Sequence, residues 1–325
     1  MIDKSIGGDQ LPAIIDTENN RGAAFDGRYV FIASREDGNQ IYYWDVENPG
    51  ADPDTLTLGE DVISGGAWLI SDIRILDGNI YVSNMVNAQG STFKVYKWEG
   101  MDDDSPEMIL EYTVAEEGVR LGDAISIIGN PPANGYIFAS NFAWPDNASE
   151  FYVWNFDNGA AEPSILPIVP NEALRIGQYG RVNTIPGEPD LLLVTGAEMG
   201  IAVMDYSGNI LAEVGEPAIQ SRSFDPHVFE YNGGTYLSYT VNREWESQAV
   251  WSEVINISEG ASIVDAISNI NSTNIDEKRV FKHVFGGPTQ VWVGASNGVG
   301  FSSEGKPRVM GFGIRHGFVV HEFSN

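Results

Sequence analysis

Six short segments along the chain share one alternation of apolar and other positions. They read YWDVE (Tyr43–Glu47), VYKWE (Val95–Glu99), VWNFD (Val153–Asp157), VMDYS (Val203–Ser207), VINIS (Val254–Ser258) and VHEFS (Val320–Ser324). Apolar residues recur roughly every second position, the period of a strand with one buried face. The fullest copy, Leu191–Ser207, joins two apolar runs through Gly196-x-x-x-Gly200. Val309–Ser324 repeats that form with Gly313 and Gly317, and upstream Gly187-Glu188-Pro189 matches Gly305-Lys306-Pro307.

The last apolar position of each copy falls at Val46, Trp98, Phe156, Tyr206, Ile257 and Phe323, so the gaps are 52, 58, 50, 51 and 66 residues. Short strands at such a period predict the blades of a β-propeller. Splitting the 66-residue gap would make a seventh blade, but each half would fall short of the roughly 40–45 residues that four strands take. The pattern therefore favours an all-β, six-bladed propeller, with an open array of β-sandwiches as the alternative.

The chain stops on the third strand of its last blade. An N-terminal strand must supply the fourth and close the ring, which removes an exposed sheet edge. Leu11–Asp16, LPAIID, is the expected donor, and polar residues 1–10 are expected to be loose. Because propeller blades bury their faces only against neighbours, residues 1–325 are expected to form one domain. One helical pattern stands out in Gly260–Ile270, with Ile263, Ala266, Ile267 and Ile270 on one side. It is expected on the rim between blades five and six.

Composition narrows the partners. With 18 basic and 46 acidic residues the net charge is −28. Such a surface repels phosphate backbones and anionic lipid, which disfavours nucleic acid and polybasic membrane binding. There is no cysteine, which excludes disulfides, thiolate metal sites and cysteine nucleophiles. No apolar run reaches the ~18 residues of a membrane span. The opening Met-Ile-Asp-Lys shows no apolar signal core, so the expectation is either a cytosolic protein or a mature chain whose leader is gone.

Several segments together resemble a known group. Asn20-Arg-Gly-Ala-Ala24, Ser34-Arg35, Ile63-Ser-Gly-Gly66, Asn79-Ile-Tyr-Val-Ser-Asn84, Phe93-Lys-Val-Tyr-Lys-Trp98 and Arg120-Leu-Gly-Asp123 are similar to a propeller family of uncharacterised function. That family occurs in secreted and surface proteins of Gram-negative bacteria. The likeness is best over residues 20–125. It implies a propeller and an extracellular, cell-surface or periplasmic location. It carries over no activity and no catalytic residue.

Candidate chemistry follows from propeller geometry. The loops that enter the innermost strands share one face with the loops that join second and third strands, and function concentrates on such loops. Arg21, Asp72, Arg74, Asp123, Arg181, Asp225 and His227 are expected to ring that mouth, with Trp144 and Trp245 hanging over it. Rings that stack on sugars, beside groups that fix hydroxyls or acids, point to a module that binds a carbohydrate or a protein partner. The plainer explanation is that these charges satisfy one another and lock blades together. A glycoside hydrolase or polysaccharide lyase is the enzymatic alternative. It would use Asp72, Asp123 or Asp225, with carboxyls about 5–5.5 or 6.5–9.5 Å apart. A rigid disc in a surface assembly is the structural alternative, and a monomer is equally compatible.

Metal signals are weak. Asp102, Asp103 and Asp104 are adjacent rather than spaced as calcium ligands are. His227, His283, His316 and His321 are dispersed. The acidic charge leaves calcium in the channel open, and no other cofactor is indicated. Asn147-Ala-Ser149, Asn256-Ile-Ser258 and Asn271-Ser-Thr273 match the glycan-acceptor pattern.

Overall fold

In the computed structural model the six alternating segments become the third strands of six four-stranded antiparallel sheets. The structure describes residues 1–8, 11–59, 62–142, 150–158, 162–167, 176–243, 250–286 and 294–324, without the Asp37 side chain. The innermost strands are Asn20–Phe25, Trp68–Leu76, Ile125–Asn130, Arg181–Ile185, Ser223–Tyr231 and Ala295–Phe301, for blades one to six in order. The result is an all-β six-bladed propeller.

Second strands such as Tyr29–Ser34 are buried almost throughout, because both faces of a blade pack on neighbours. Apolar side chains fill every seam. Trp44 meets Phe318 across blades one and six with ring centroids 5.3 Å apart. Trp154 stacks on Phe93 at 5.5 Å between blades three and two. Tyr136 meets Tyr206 at 5.3 Å between blades three and four, and Phe229 meets Phe323 at 5.3 Å between blades five and six. Trp98 of blade two donates its indole N–H to the Thr57 carbonyl of blade one at 2.8 Å. Several of these rings stand at the last apolar position of the repeated segment, so the repeat encodes seam packing as well as strand formation.

An N-terminal strand closes the ring, but it is Ile2–Ser5 and not Leu11–Asp16. Ile2 pairs with Val320 and Ser5 with Gly317, which makes this strand the outermost of blade six. Residues 1–8 are therefore placed rather than loose. Leu11–Asp16 instead turns through a 3-10 segment, Ala13–Ile15. Pro12 lacks a ladder donor, and its carbonyl accepts the N–H of Ile15 at 3.0 Å and of Asp16 at 3.2 Å, which starts a turn. Ile15 is fully buried against blades one and six.

The predicted helix exists as Ile263–Ser268, capped by the Ser262 side chain. It lies in the connection between the third strand of blade five, Val250–Asn256, and its outer strand, Arg279–Val284. It packs on blade four, where Ile263, Ala266 and Ile267 join Ile201, Val203 and Ala212, and not between blades five and six. No helix among the described residues is long and apolar enough to cross a membrane.

Candidate functional site

Four described innermost strands shift register, the one in blade four at its far end between Thr184 and Ile185 and the other three toward the mouth. The pairing register shifts between Asn20 and Gly22 in blade one, between Trp68 and Asp72 in blade two, and between Phe224 and His227 in blade five. A bulge leaves a residue out of the ladder and re-aims side chains. Arg21 and Asp225 are such residues, and Asp72 stands at the end of one. Asp225 has φ 56, a conformation aspartate tolerates better than most residues. Pro226 follows it and has no ladder donor to lose. Gly22 serves the same centre by close approach. A Cβ there would stand 2.9 Å from the Asp72 Cα and collide with its carboxylate.

Two ion pairs cross the channel. Both Arg181 Nη atoms donate to Asp72 at 2.8 Å, and neither side chain is exposed. Arg74 donates to Asp225 at 2.7 and 3.0 Å. Both guanidiniums also donate to the Ile125 carbonyl, at 3.2 Å from Arg181 and 2.9 Å from Arg74. Asp72 in turn accepts the Ile125 N–H at 2.7 Å. Asn183 and the Asn297 N–H reach Asp225 at 3.0 and 3.2 Å. Blades two to six are thus tied through one buried, charge-balanced knot. Burial opposes the Asp225 charge, but Arg181, His227 and Asn183 hold its carboxyl below the usual carboxylate range.

An apolar layer of Ala124, Tyr179, Phe224 and Ala295 adjoins the knot on the mouth side. On the other side a cavity of about 200 Å³ is lined by Arg74, Asn183, Thr184, His227 and Asn297 among others. His227 Nε2 stands 3.4 Å from Asp225.

The mouth carries a second cluster. Arg21 donates to the Tyr179 hydroxyl at 3.3 Å. Arg35 donates to the Ile70 carbonyl at 3.1 Å and the Ser71 hydroxyl at 2.6 Å, and its guanidinium lies 4.6 Å from the centre of the Trp68 ring. Trp68 is 44% exposed. Arg120 grips Asp123 at 2.5 and 2.7 Å and covers the Phe142 ring at 5.6 Å. Burial pushes the Tyr179 phenol up, so it keeps its proton at neutral pH. Burial, with Arg21 beside it, lowers the Arg35 guanidinium to about 9, still cationic at neutral pH.

The seven charged candidates thus separate by depth. Arg21 and Asp123 belong to the mouth, Asp72, Arg181 and Asp225 to the knot, and Arg74 and His227 to the knot and the cavity beyond it. Trp144 and Trp245 lie outside the described residues. The three nominated acids each take two N–H groups from one arginine. Asp103 caps its own turn by accepting the Glu99 and Ser105 N–H groups at 2.8 and 2.9 Å. No group of three His, Asp or Glu suited to a metal ion occurs among the described residues. Of the histidines, His283 and His321 meet at 5.1 Å on the seam of blades five and six, away from His227. Sequence reasoning did not nominate Arg35, Arg120, Trp68 or Tyr179. The available signal was position: Arg35 follows a second strand, and Trp68, Arg120 and Tyr179 begin or precede innermost strands.

The chain belongs to the DUF4623 family, a domain of unknown function, whose model matches residues 6–324. It is similar to the crystal structure of a DUF4623 family protein from Bacteroides eggerthii, with 21% identity over 97% of this chain and 73% of that chain at a TM-score of 0.81. A subtype N10 neuraminidase-like protein of A/little yellow-shouldered bat/Guatemala is 12% identical and matches over 95% of this chain and 96% of its own at a TM-score of 0.48. The WD40 β-propeller domain of Doa1 is 12% identical and matches over 94% and 78% at 0.46. No curated protein matches the chain.

Proposed function

We propose that this protein is an exported binding module that recognises a carbohydrate at the mouth face of its propeller. The observation that carries this reading is the exposed Trp68 indole braced by the Arg35 guanidinium beside the Arg120–Asp123 pair. An indole face stacks on the apolar face of a sugar ring, and flanking guanidinium and carboxylate groups can bond its hydroxyls. The carboxylates of the knot beneath are already paired, and the knot serves as a rigid floor. A hydrolase would need a carboxyl free to transfer a proton. Asp72, Asp123 and Asp225 lend that alternative no support, since each is clamped by a guanidinium.

A thermal-shift screen against a panel of polysaccharides and oligosaccharides tests the proposal. A ligand at 100 times its Kd adds about 2.7 kcal/mol of stability and raises the midpoint visibly. Trp68→Ala is expected to abolish that shift while leaving the unliganded midpoint within about 1 °C, because a half-exposed side chain contributes little to folding. A panel with no shift, or a Trp68→Ala variant that binds as wild type does, would end the proposal.

A further inference from the structure

Three guanidiniums gather at the mouth around one buried phenol, with one carboxylate among them. Most other described arginines find an acid: Arg28 has Asp45, Arg74 has Asp225, Arg181 has Asp72, Arg279 has Glu253 and Arg308 has Glu322. Of the three beside Tyr179, only Arg120 does. The hydrogen-bond partners of Arg35 are a carbonyl and a hydroxyl, and that of Arg21 is the Tyr179 hydroxyl. Glu36, the acid next to Arg35 in the chain, is turned away to Thr17 and Asn19 at 2.7 and 2.5 Å. Three positive charges minus the one on Asp123 leave a surplus of two among the described residues that act on Tyr179, in a chain of net charge −28.

Resting on the carbohydrate-binding reading, we infer that Arg21 and Arg35 form an anion site that takes the carboxylate or sulfate of an acidic sugar whose ring lies against Trp68. A guanidinium offers a planar fork that matches either group two-pronged. The hydrogen-bond partners of Arg35 are neutral, and the two like charges of Arg21 and Arg120 face it against the single carboxylate of Asp123, so a bound anion relieves repulsion already present in the free protein. Tyr179 stays a neutral phenol and does not supply that anion itself.

The test is titration calorimetry of wild type, Arg21→Gln and Arg35→Gln with four probes: oligogalacturonate, a heparin oligosaccharide, a neutral xylo-oligosaccharide and sodium sulfate. Arg21 has one long described hydrogen bond, so Arg21→Gln is expected to keep the wild-type melting midpoint. Losing one charge-assisted contact is expected to weaken the acidic sugar about 10- to 100-fold. Oligogalacturonate binding alone identifies a carboxylate ligand, and heparin binding alone a sulfate ligand. If acidic sugars bind Arg21→Gln and Arg35→Gln as they bind wild type, or if only the neutral sugar binds, the anion site is overturned while the carbohydrate reading stands. If sodium sulfate binds in an Arg21-dependent way and no sugar does, the anion site stands and the carbohydrate reading fails. If no probe binds, both fall.

Discussion

Arg181→Met is the sharpest test of the buried knot. It deletes the guanidinium and leaves the Asp72 carboxylate fully buried, with the Ile125 N–H as its described partner. Removing one partner of a buried pair costs about 3–5 kcal/mol, because the survivor is an uncompensated charge. An unfolding entropy of about 2.1 cal/mol/K per residue over 325 residues is about 0.7 kcal/mol per degree. The expected fall in melting midpoint is therefore about 4–7 °C. The double variant Asp72→Leu/Arg181→Met removes both charges. It leaves the Ile125 N–H without its carboxylate, a cost of about 1–3 kcal/mol, and should be more stable than Arg181→Met alone.

The pH dependence separates this account from a packing defect. Burial is the largest influence on Asp72 and pushes its carboxyl up, with Arg181 the main opposing pull. A group whose folded pKa is raised contributes stability at low pH and loses it as pH rises through the folded value. Without Arg181 the deficit should thus be largest near neutrality and shrink toward pH 4. Differential scanning calorimetry or urea denaturation of wild type, Asp72→Leu, Arg181→Met and the double variant, at pH 7 and near pH 4.5, reads both quantities. Single effects that add within about 0.5 kcal/mol, or a deficit that does not change with pH, would refute the reasoning.

Three further outcomes follow. Burial, aided by His283, lowers His321 from 6.5 to about 4, so the unfolded chain binds the proton first and stability is lost as pH falls from about 6.5 toward 4. The full loss is at most about 3 kcal/mol. His321→Phe keeps the ring contact with Phe281 and should flatten the midpoint over that range, and a variant that tracks wild type there contradicts this. Gly22→Ala should cost about 1–3 kcal/mol by displacing Asp72, and an unchanged midpoint would mean the approach is not tight. Deleting residues 1–5 removes the ladder to Gly317–Val320, at about 1 kcal/mol per lost bond, and bares the edge of the third strand of blade six. Size exclusion should show concentration-dependent association through that edge, and a stable monomer would argue that the edge is otherwise protected.

Much of the ring was legible because propeller seams repeat. Trp98, Tyr206 and Phe323 recur at blade spacing and mark where third strands end. The closing strand was misassigned because apolar content was the guide. An outer strand is half solvated, so Ile2-Asp3-Lys4-Ser5 serves and the more apolar Leu11–Asp16 becomes a packed turn. The site was less legible for a different reason. Arg181 and Asp72 are 109 residues apart in sequence, and Arg74 and Asp225 are 151 apart. Nothing local in the chain says that these four charges cancel. Each could be read from its place on an innermost strand as a ligand group or as a charge that locks blades together, and in the closed ring each is half of a buried pair. Arg35, by contrast, looked like an ordinary loop residue. What distinguishes it is that no described acid comes to meet it. A charged residue becomes a ligand candidate by what remains after all cross-ring pairs are subtracted, and that subtraction requires the closed ring.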